Sequence, residues 1–338
     1  MLCCIQHIWD ITECKSKEKM TLSIILTVYN KASFLPKAFE SLLRQLETDG
    51  DEYEVVVVND GSTDDSLVVI EHYASNYSRI RVVSQNNLGL SMARNNGTKA
   101  ANGDYVWYVD ADDVISPYSV RYICDATASR PDVIPIYAKT EGEEIIRNYV
   151  PKSAQTGREV LLSGKWLACG VFNVFRRSFL LNNNLNFFPG IYHEDSEFTP
   201  RVLYLAKKVV VVPEVLYTVI HEPNSITQVP RPKRAFDCLI VAERLKSFIE
   251  SQMITDPAVL RIFYNYISSV INGALKVIVQ NSAEDQVRFN KILHSKPSLL
   301  QIFFKTGVTR YIIEGYLFKL FPERYTLIYS LMKKLYQR

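Results

Sequence analysis

The stretch Asp104-Tyr-Val-Trp-Tyr-Val-Asp-Ala-Asp-Asp113 decides the fold of this 338-residue chain. Its residues 105–109 are apolar and rich in β-branched and aromatic side chains, which is typical of a strand buried on both faces. The run ends in three carboxylates, Asp110, Asp112 and Asp113. Because ligands of open α/β sheets bind beyond the carboxyl ends of the strands, we expect a ligand at this acidic end.

The clustered carboxylates have two interpretations. Like charges this close repel each other unless a cation lies among them or some of them are protonated. A divalent ion such as Mg²⁺ or Mn²⁺, bound by one or two carboxylates and by substrate phosphates, would relieve that repulsion. The alternative is a solvated turn whose aspartates cap the helix that follows Ser116-Pro117. The stretch by itself favours neither interpretation.

Strands and helices alternate around this stretch. The apolar patterns predict strands at 22–28, 54–58 and 80–83 and helices at 33–46, 67–77 and 91–101. Short connections between them predict an α/β fold with a doubly wound, mainly parallel sheet.

The second half of the chain is less regular. Its patterns predict strands at 133–137, 171–175, 209–212 and 215–220, the last two separated by Pro213, and helices at 179–185 and 193–206. Residues 228–234 resemble a linker because they contain two prolines and three basic residues. From residue 235 onward the apolar spacing is helical and predicts four to six helices.

Composition bounds the class of protein. The chain is 47% hydrophobic and 22% charged with a net charge of +3, which is too little charge to indicate nucleic-acid binding. No apolar run reaches the roughly 18 residues that cross a bilayer. The six cysteines show no metal-binding spacing and no disulfide framework, which favours reduced thiols and a cytoplasmic location.

The strand ends lack the glycine-rich motifs of common nucleotide-binding folds. Residues 29–33, after the first strand, read Tyr-Asn-Lys-Ala-Ser instead of G-x-G-x-x-G, and no P-loop is present. A Rossmann dehydrogenase and a P-loop kinase are therefore disfavoured. The strand ends carry an aromatic, Tyr29, and the acids Asp60, Asp110 and Asp112. An aromatic ring stacks on a base, an acid accepts hydrogen bonds from a base or sugar, and clustered acids hold a metal. This set indicates a nucleoside diphosphate bound through a cation.

Four motifs in order carry a resemblance to a known family. They are Thr27-Val-Tyr-Asn30, Asn59-Asp-Gly-Ser-Thr-Asp64, Asn87-Leu-Gly-Leu-Ser-Met-Ala-Arg-Asn-Asn-Gly97 and Tyr108-Val-Asp-Ala-Asp-Asp113. With His193-Glu-Asp195 and Asn224-Ser-Ile-Thr227 behind them, residues 22–227 resemble the family 2 glycosyltransferases of the GT-A fold. The resemblance implies a nucleotide-sugar glycosyltransferase domain at residues 20–228 and does not extend to the helical region at 229–338. We expect residues 1–19 to be a non-native or disordered extension before a native start at Met20.

The resemblance assigns nucleotide-sugar binding to several positions. Tyr29 would stack on the nucleobase, Asp60 would hydrogen-bond the base, and Arg94 would lie near the nucleotide. His221 stands where many relatives carry an arginine and would lie at the diphosphate. Each of these has a structural alternative, such as a turn cap for Asp60 or a solvated helix position for Arg94.

The resemblance also assigns the chemistry. Asp110 would meet the ribose and the metal's water shell, Asp112 would ligate the metal, and Asp195 would be the general base. Glu194 is the rival base, and Asp195 could instead be a carboxylate favoured by the positive end of its helix dipole.

The expected function is inverting, metal-dependent sugar transfer, with Mn²⁺ or Mg²⁺ as the cofactor. The donor would be a nucleotide sugar, with a UDP-sugar preferred, and the acceptor a glycan or a lipid-linked sugar in surface polysaccharide synthesis. One alternative is a sugar-phosphate nucleotidyltransferase, although that class usually has a glycine-rich loop after the first strand. A non-catalytic nucleotide-sugar-binding protein of the same fold is the other.

The end of the chain is basic and aromatic. Residues 301–338 contain seven Lys or Arg against two Glu. Such a segment is typical either of a helical bundle with a basic outer face or of helices that lie on an anionic membrane surface. We therefore keep peripheral contact with the inner membrane surface as a second interpretation.

Overall fold

A computed structural model describes residues 20–45, 53–142, 146–147, 150–220 and 231–336. Its first half alternates strands and helices as predicted. The elements are β1 Leu22–Val28, α1 Leu35–Leu43, β2 Tyr53–Asn59, α2 Ser66–Asn76, β3 Ile80–Ser84, α3 Leu90–Ala100 and β4 Tyr105–Asp110. Every residue of β1 and β2 is buried, as expected for strands covered on both faces.

The second half adds shorter elements. They are β5 Val114–Ile115, α4 Ser119–Thr127, β6 Val133–Thr140, β7 Ile146–Arg147, α5 Gly157–Ser163, a 3₁₀ turn at Gly170–Phe172, β8 Asn173–Arg176, α6 Arg177–Asn182, α7 Glu194–Leu205 and β9 Val212–Val219. The strands form one sheet in the order β3-β2-β1-β4-β8-β6-β9-β5, with β7 paired to β6. The first four strands are parallel. Antiparallel pairs join β8 to β4 and to β6, and β5 to β9, so the sheet is mixed beyond β4.

Two predictions for this half are wrong in detail. The strand predicted at 171–175 is a 3₁₀ turn followed by a strand that starts at Asn173. The two strands predicted around Pro213 are one strand, β9, because Pro213 lies in a bulge. Ile136 of β6 pairs with Val212 and the next residue pairs with Val215, so Pro213 needs no ladder hydrogen bond.

The described residues 231–336 contain six α-helices, which is the upper end of the predicted number. They are α8 Pro232–Ser251, α9 Pro257–Ile278, α10 Ala283–His294, α11 Pro297–Ile302, α12 Thr309–Leu320 and α13 Tyr325–Tyr336. The predicted linker is wrong for its last three residues, because Pro232 starts α8, where its fixed φ suits the first turn. The linker's residues 228–230 lie outside the described residues.

The helical region packs against the sheet half of the chain. Arg244 of α8 donates to the buried Glu197 of α7 (Nε–Oε1 3.0 Å), and Tyr204 of α7 meets Phe248 of α8 edge to face. The buried apolar side chains of both parts form one continuous cluster. Within the described ranges, no helix combines the length and apolar character that a membrane span requires.

Candidate active site

The candidate site lies at the carboxyl ends of β2, β1 and β4, which are neighbours in the sheet. Tyr29 follows β1 and exposes 44% of its surface, so its ring is available to a ligand. Asp60 follows β2, and its backbone N–H donates to the carbonyl of Val28 at 2.8 Å. The sheet thus brings Tyr29 and Asp60 to one edge, as the parallel topology requires.

Asp60 is buried and organises the loop between β3 and α3. Its carboxylate accepts hydrogen bonds from Gln85 Nε2 (2.7 Å), Leu88 N (2.8 Å) and Gly89 N (2.9 Å). A carboxylate offers about four lone-pair sites, so three protein donors leave room for a ligand donor. This loop-holding role was not predicted from the sequence.

Arg94 of α3 is the centre of the site. Its guanidinium is buried, with 2% of the side chain exposed, and donates to three carboxylates. The acceptors are Glu194 Oε1 (3.0 Å), Asp195 Oδ1 (3.0 Å) and Asp110 Oδ1 (3.1 Å). Asp110 ends β4 whereas Glu194 and Asp195 begin α7, so Arg94 joins the acidic strand to the acidic helix start. The alternative of a solvated Arg94 is wrong.

The electrostatics of this cluster follow from burial and charge. Burial disfavours a charged Arg94, but the three carboxylates outweigh it and raise the pKa of Arg94. Burial, together with the charge of Asp195, raises the pKa of Glu194 to about 7. Burial likewise raises the pKa of Asp110, with Arg94 opposing and Asp112 adding to the shift. Burial therefore favours the protonated forms of Glu194 and Asp110, and the Arg94 guanidinium opposes this in both.

Asp112 binds a different cation, the ammonium of Lys31. Lys31 Nζ lies 2.7 Å from Asp112 Oδ2, and both side chains are partly exposed. Lys31 was not among the site residues predicted from the sequence. The available signal was its place two residues after Tyr29, which puts it at the same edge of the sheet.

The acids suit a divalent cation whose remaining ligands come from a substrate. The described ranges contain no group of three or more His, Cys, Asp or Glu side chains placed to hold a metal. Mg²⁺ at phosphate sites needs only one or two protein carboxylates, because water and phosphate supply the other ligands. Asp112 already binds the Lys31 ammonium, so one of its oxygens is placed for a cation. Asp112 is the candidate ligand, and Asp110 lies two residues before it at the end of the strand.

Asp113 supports the site from behind. Tyr217 of β9 donates its hydroxyl to Asp113 Oδ2 (2.7 Å), the N–H of Ile220 donates to Asp113 Oδ1 (2.8 Å), and the N–H of Asp110 donates to the Tyr217 hydroxyl (3.2 Å). Burial and the charge of Asp110 raise the pKa of Asp113 to about 7. Asp113 therefore ties the acidic turn to β9. Both of its carboxylate oxygens already accept hydrogen bonds from the protein, so it is not a candidate metal ligand.

The neighbourhood of Asp195 contains residues that sequence reasoning missed. A Cβ on Gly170 would lie 2.9 Å from Asp195 Oδ1, so the glycine backbone forms the wall against this carboxylate. Cys169 is a free thiol whose pKa burial and the charge of Asp195 raise. From the helical region, Tyr266 of α9 approaches Ser196, and its ring lies 5.2 Å from that of Trp166.

Two histidines flank the cluster. His193, before α7, has a positive φ of 63° and a buried Nε2 without a hydrogen-bond partner among the described residues. Burial and the nearby Arg234 lower its pKa. His221, predicted to lie at the diphosphate, is outside the described residues, as is the Asn224–Thr227 motif.

Comparisons with known proteins agree with the resemblance. Residues 23–182 match the family model described as glycosyl transferase family 2. EpsH of Bacillus subtilis is 30% identical over 69% of this chain and 70% of its own length. The Bacillus subtilis protein named uncharacterized glycosyltransferase EpsJ is 34% identical over 62% of this chain. This chain spans 63% of EpsJ, somewhat less than two thirds of that protein.

A solved structure has the same fold. S. aureus TarS 1–349, crystallised in complex with UDP-GlcNAc, superposes with a TM-score of 0.73 at 18% identity, over 93% of this chain and 92% of that one. The superposition includes the helical region, so the predicted GT-A-like α/β fold with a helical C-terminal extension is confirmed. The match to the family model and the similarity to EpsH establish that the chain belongs to glycosyl transferase family 2.

Proposed function

We propose that this protein is an inverting, metal-dependent glycosyltransferase that moves a sugar from a nucleotide-sugar donor to a glycan or lipid-linked acceptor. The observation that carries the proposal is the Arg94 cluster. One buried guanidinium bonds both Asp110, at the metal end of β4, and Asp195, the candidate base at the start of α7. A proton acceptor and a cation site held side by side are what a single displacement at an anomeric carbon requires.

The chemistry divides between these two groups. As the acceptor oxygen forms its bond to the anomeric carbon, the bond to the diphosphate breaks on the opposite face, and Asp195 takes the hydroxyl proton. A divalent cation bound at Asp112 would offset the charge that develops on the departing nucleoside diphosphate. One displacement inverts the anomeric configuration.

Asp195 is a better candidate for the base than Glu194. Glu194 is the more buried of the two, with 12% of its side chain exposed. Asp195 keeps 18% of its side chain exposed, beside the wall formed by Gly170. We assign Glu194 to orienting Arg94 and Asp195 to proton transfer.

The donor site is the edge that carries Tyr29 and Asp60. The exposed ring of Tyr29 suits stacking on a base, and Asp60 keeps acceptor capacity beyond its three protein donors. The UDP-GlcNAc bound by TarS supports a UDP-sugar as the donor here. His221 at the diphosphate remains part of the proposal.

The acceptor side is the wall between Gly170 and the helical region. The half-buried ring of Trp166 packs against Tyr266 of α9, in the segment that leads to Gly170 and Asp195. An aromatic wall beside a carboxylate suits the apolar face of a sugar with its hydroxyl directed to the base. We therefore assign donor binding and chemistry to residues 20–228, assign part of the acceptor wall to residues 229–338, and propose a role in surface polysaccharide synthesis.

The proposal includes peripheral contact with an anionic membrane surface. Seven of the twenty large hydrophobic side chains that are exposed in the described ranges lie between residues 308 and 331. They are Val308, Ile313, Tyr316, Leu320, Phe321, Leu327 and Leu331. The exposed residues Lys319, Arg324, Lys333 and Lys334 accompany them. Exposed apolar side chains with basic neighbours fit acidic headgroups.

Vesicle sedimentation tests the membrane contact. The protein should pellet with vesicles that contain phosphatidylglycerol and not with pure phosphatidylcholine vesicles. The Leu320→Glu/Phe321→Glu variant should lose this binding. Met253→Glu, which changes a side chain that is 81% exposed elsewhere, should keep it. Equal binding by both variants would remove membrane contact from the proposal.

A donor screen followed by a transfer assay tests the main proposal. Ligands that bind the native state alone raise the melting temperature, so UDP- and GDP-sugars are screened with and without Mn²⁺. The binding donor is then offered with glycan and lipid-linked acceptors. Asp195→Asn should keep the thermal shift and lose about 10²–10⁴-fold in transfer, whereas Glu194→Gln should lose less. Unchanged transfer in Asp195→Asn, or no shift with any nucleotide sugar, would overturn the proposal.

A further inference from the structure

We propose that Lys31 is a tethered counter-ion that occupies Asp112 until the donor arrives, so that metal and donor bind together. The inference rests on the proposed function, in which Asp112 ligates the metal. It adds a residue that controls metal binding, and a coupling between metal and donor binding, that the proposed function does not contain.

The Lys31 ammonium is held at this carboxylate by its surroundings. Nζ lies 2.7 Å from Asp112 Oδ2 and 4.9 Å from the centre of the Phe34 ring. The backbone N–H of Lys31 donates to Ser66 Oγ at 2.9 Å, which ties the turn to the start of α2. The preceding Asn30 has a φ of 52° and is part of the same anchored turn. Lys31 therefore reaches Asp112 from a fixed backbone position.

A metal ion and the ammonium compete for the same carboxylate. Oδ2 of Asp112 is bonded to Lys31, and the neighbouring Asp110 is bonded to Arg94. A divalent ion that binds Asp112 must displace the ammonium or accept its repulsion at close range. The side chains of Lys31 and Asp112 are 25% and 26% exposed, so solvent screens this competition in part without removing it.

The donor changes the competition between the metal ion and the Lys31 ammonium for Asp112. Its diphosphate brings negative charge beside Asp112, which attracts the metal and also offers phosphate oxygens to the displaced ammonium. The free energy of moving Lys31 off Asp112 is then recovered in a new ion pair. By linkage, the donor raises the metal affinity by the same factor by which the metal raises the donor affinity.

Electron paramagnetic resonance of free Mn²⁺ measures the competition without any turnover. The full chain is titrated with Mn²⁺ alone and then with Mn²⁺ in the presence of UDP. Lys31→Gln should bind Mn²⁺ alone about tenfold more tightly than the wild type, or more, because a competing charge is gone. UDP should then raise the Mn²⁺ affinity by a smaller factor in this variant than in the wild type.

Three further variants make the test specific. Lys31→Arg keeps the charge and should bind Mn²⁺ alone as weakly as the wild type. Lys37→Gln removes an exposed lysine that pairs with Glu141 instead of Asp112 and should also match the wild type. Adding Asp112→Asn to Lys31→Gln should abolish the gain.

The outcomes separate the inference from the proposed function. If the wild type binds Mn²⁺ with UDP and Lys31→Gln gains no affinity for Mn²⁺ alone, the counter-ion role is overturned while metal-dependent transfer stands. If the wild type binds no Mn²⁺ even with UDP, both the counter-ion role and the metal dependence of the proposed function are overturned.

Discussion

Replacing Arg94 with methionine should destabilise the fold in a pH-dependent way. The substitution keeps most of the apolar stem and removes the cation that Asp110, Glu194 and Asp195 share. Breaking a buried ion pair costs about 3–5 kcal/mol, because the remaining partner stays buried without compensation. The three pairs share one guanidinium, so their energies do not add, and we expect a loss of about 3–5 kcal/mol in the free energy of unfolding at pH 8.

The sign of the pH dependence follows from the raised pKa values. With Arg94 in place, the pKa of Glu194 is already raised from 4.5 to about 7, and without Arg94 the folded pKa values of Glu194 and Asp110 rise further, because Arg94 lowers both. The folded variant then holds protons that the unfolded chain has released. The stability that these bound protons give the folded variant is present at low pH and is lost as the pH rises through the folded pKa values. The loss should therefore shrink by about 1–3 kcal/mol at pH 5.5.

Urea unfolding of the wild type and the variant at pH 5.5 and pH 8 measures both quantities. Arg158→Met is the control, because Arg158 pairs with Asp256 at the surface, with side chains 55% and 35% exposed. Such pairs contribute about 0–1 kcal/mol. Two results would refute this reasoning. One is a loss of stability in Arg94→Met that lies within about 1 kcal/mol of the control's loss at pH 8. The other is an equal loss at both pH values.

Three other substitutions give independent tests. Gly170→Ala puts a methyl group 2.9 Å from Asp195 Oδ1 and should cut sugar transfer about 10–100-fold while the donor's thermal shift remains; equal transfer would contradict the assigned base. Gly97→Ala puts Cβ 2.4 Å from Ile25 Cγ2 and should cost about 1–3 kcal/mol in urea unfolding, and no cost would mean that α3 can move off β1. The pKa of Asp113 rises from 3.8 to about 7 on folding, so the wild type loses stability as the pH rises toward 7. Asp113→Asn should make the melting temperature less dependent on pH between 5.5 and 8.5, and an unchanged slope would contradict this pKa.

The sequence predicted the parallel half of the fold and most residues at its edge. Buried runs such as 54–58 have one interpretation in an alternating α/β pattern, and parallel strands bring their carboxyl ends together. Tyr29, Asp60 and Asp110 could therefore be assigned to one edge from the sequence. The roles of Asp112 and Asp195 came from the family resemblance and stay predictions.

The rest depended on contacts between distant parts of the chain. Local spacing cannot show that Arg94 bonds an acid 101 residues away, or that Lys31 meets Asp112 across 81 residues. The sequence did not predict β9 as a single strand, because a proline normally interrupts a strand ladder. Only the pairing with β6 shows that Pro213 lies in a bulge. In the sequence, Asp113 cannot be told apart from Asp110 and Asp112. The structure distinguishes it, because its carboxylate accepts a hydrogen bond from the Tyr217 hydroxyl.

The three hydrogen bonds that Asp60 accepts have a consequence beyond its proposed contact with the nucleobase. Two of them come from Leu88 N and Gly89 N, immediately before α3 begins at Leu90. Arg94 sits on the second turn of that helix, roughly 7 Å along the axis from Gly89. A helix moves as a stiff rod, so a shift at its start would swing the guanidinium away from the acids of α7. Given the base-binding role proposed for Asp60, a change at this position would alter turnover as well as base preference. Discrimination between donors and catalytic rate would then have to evolve jointly at Asp60.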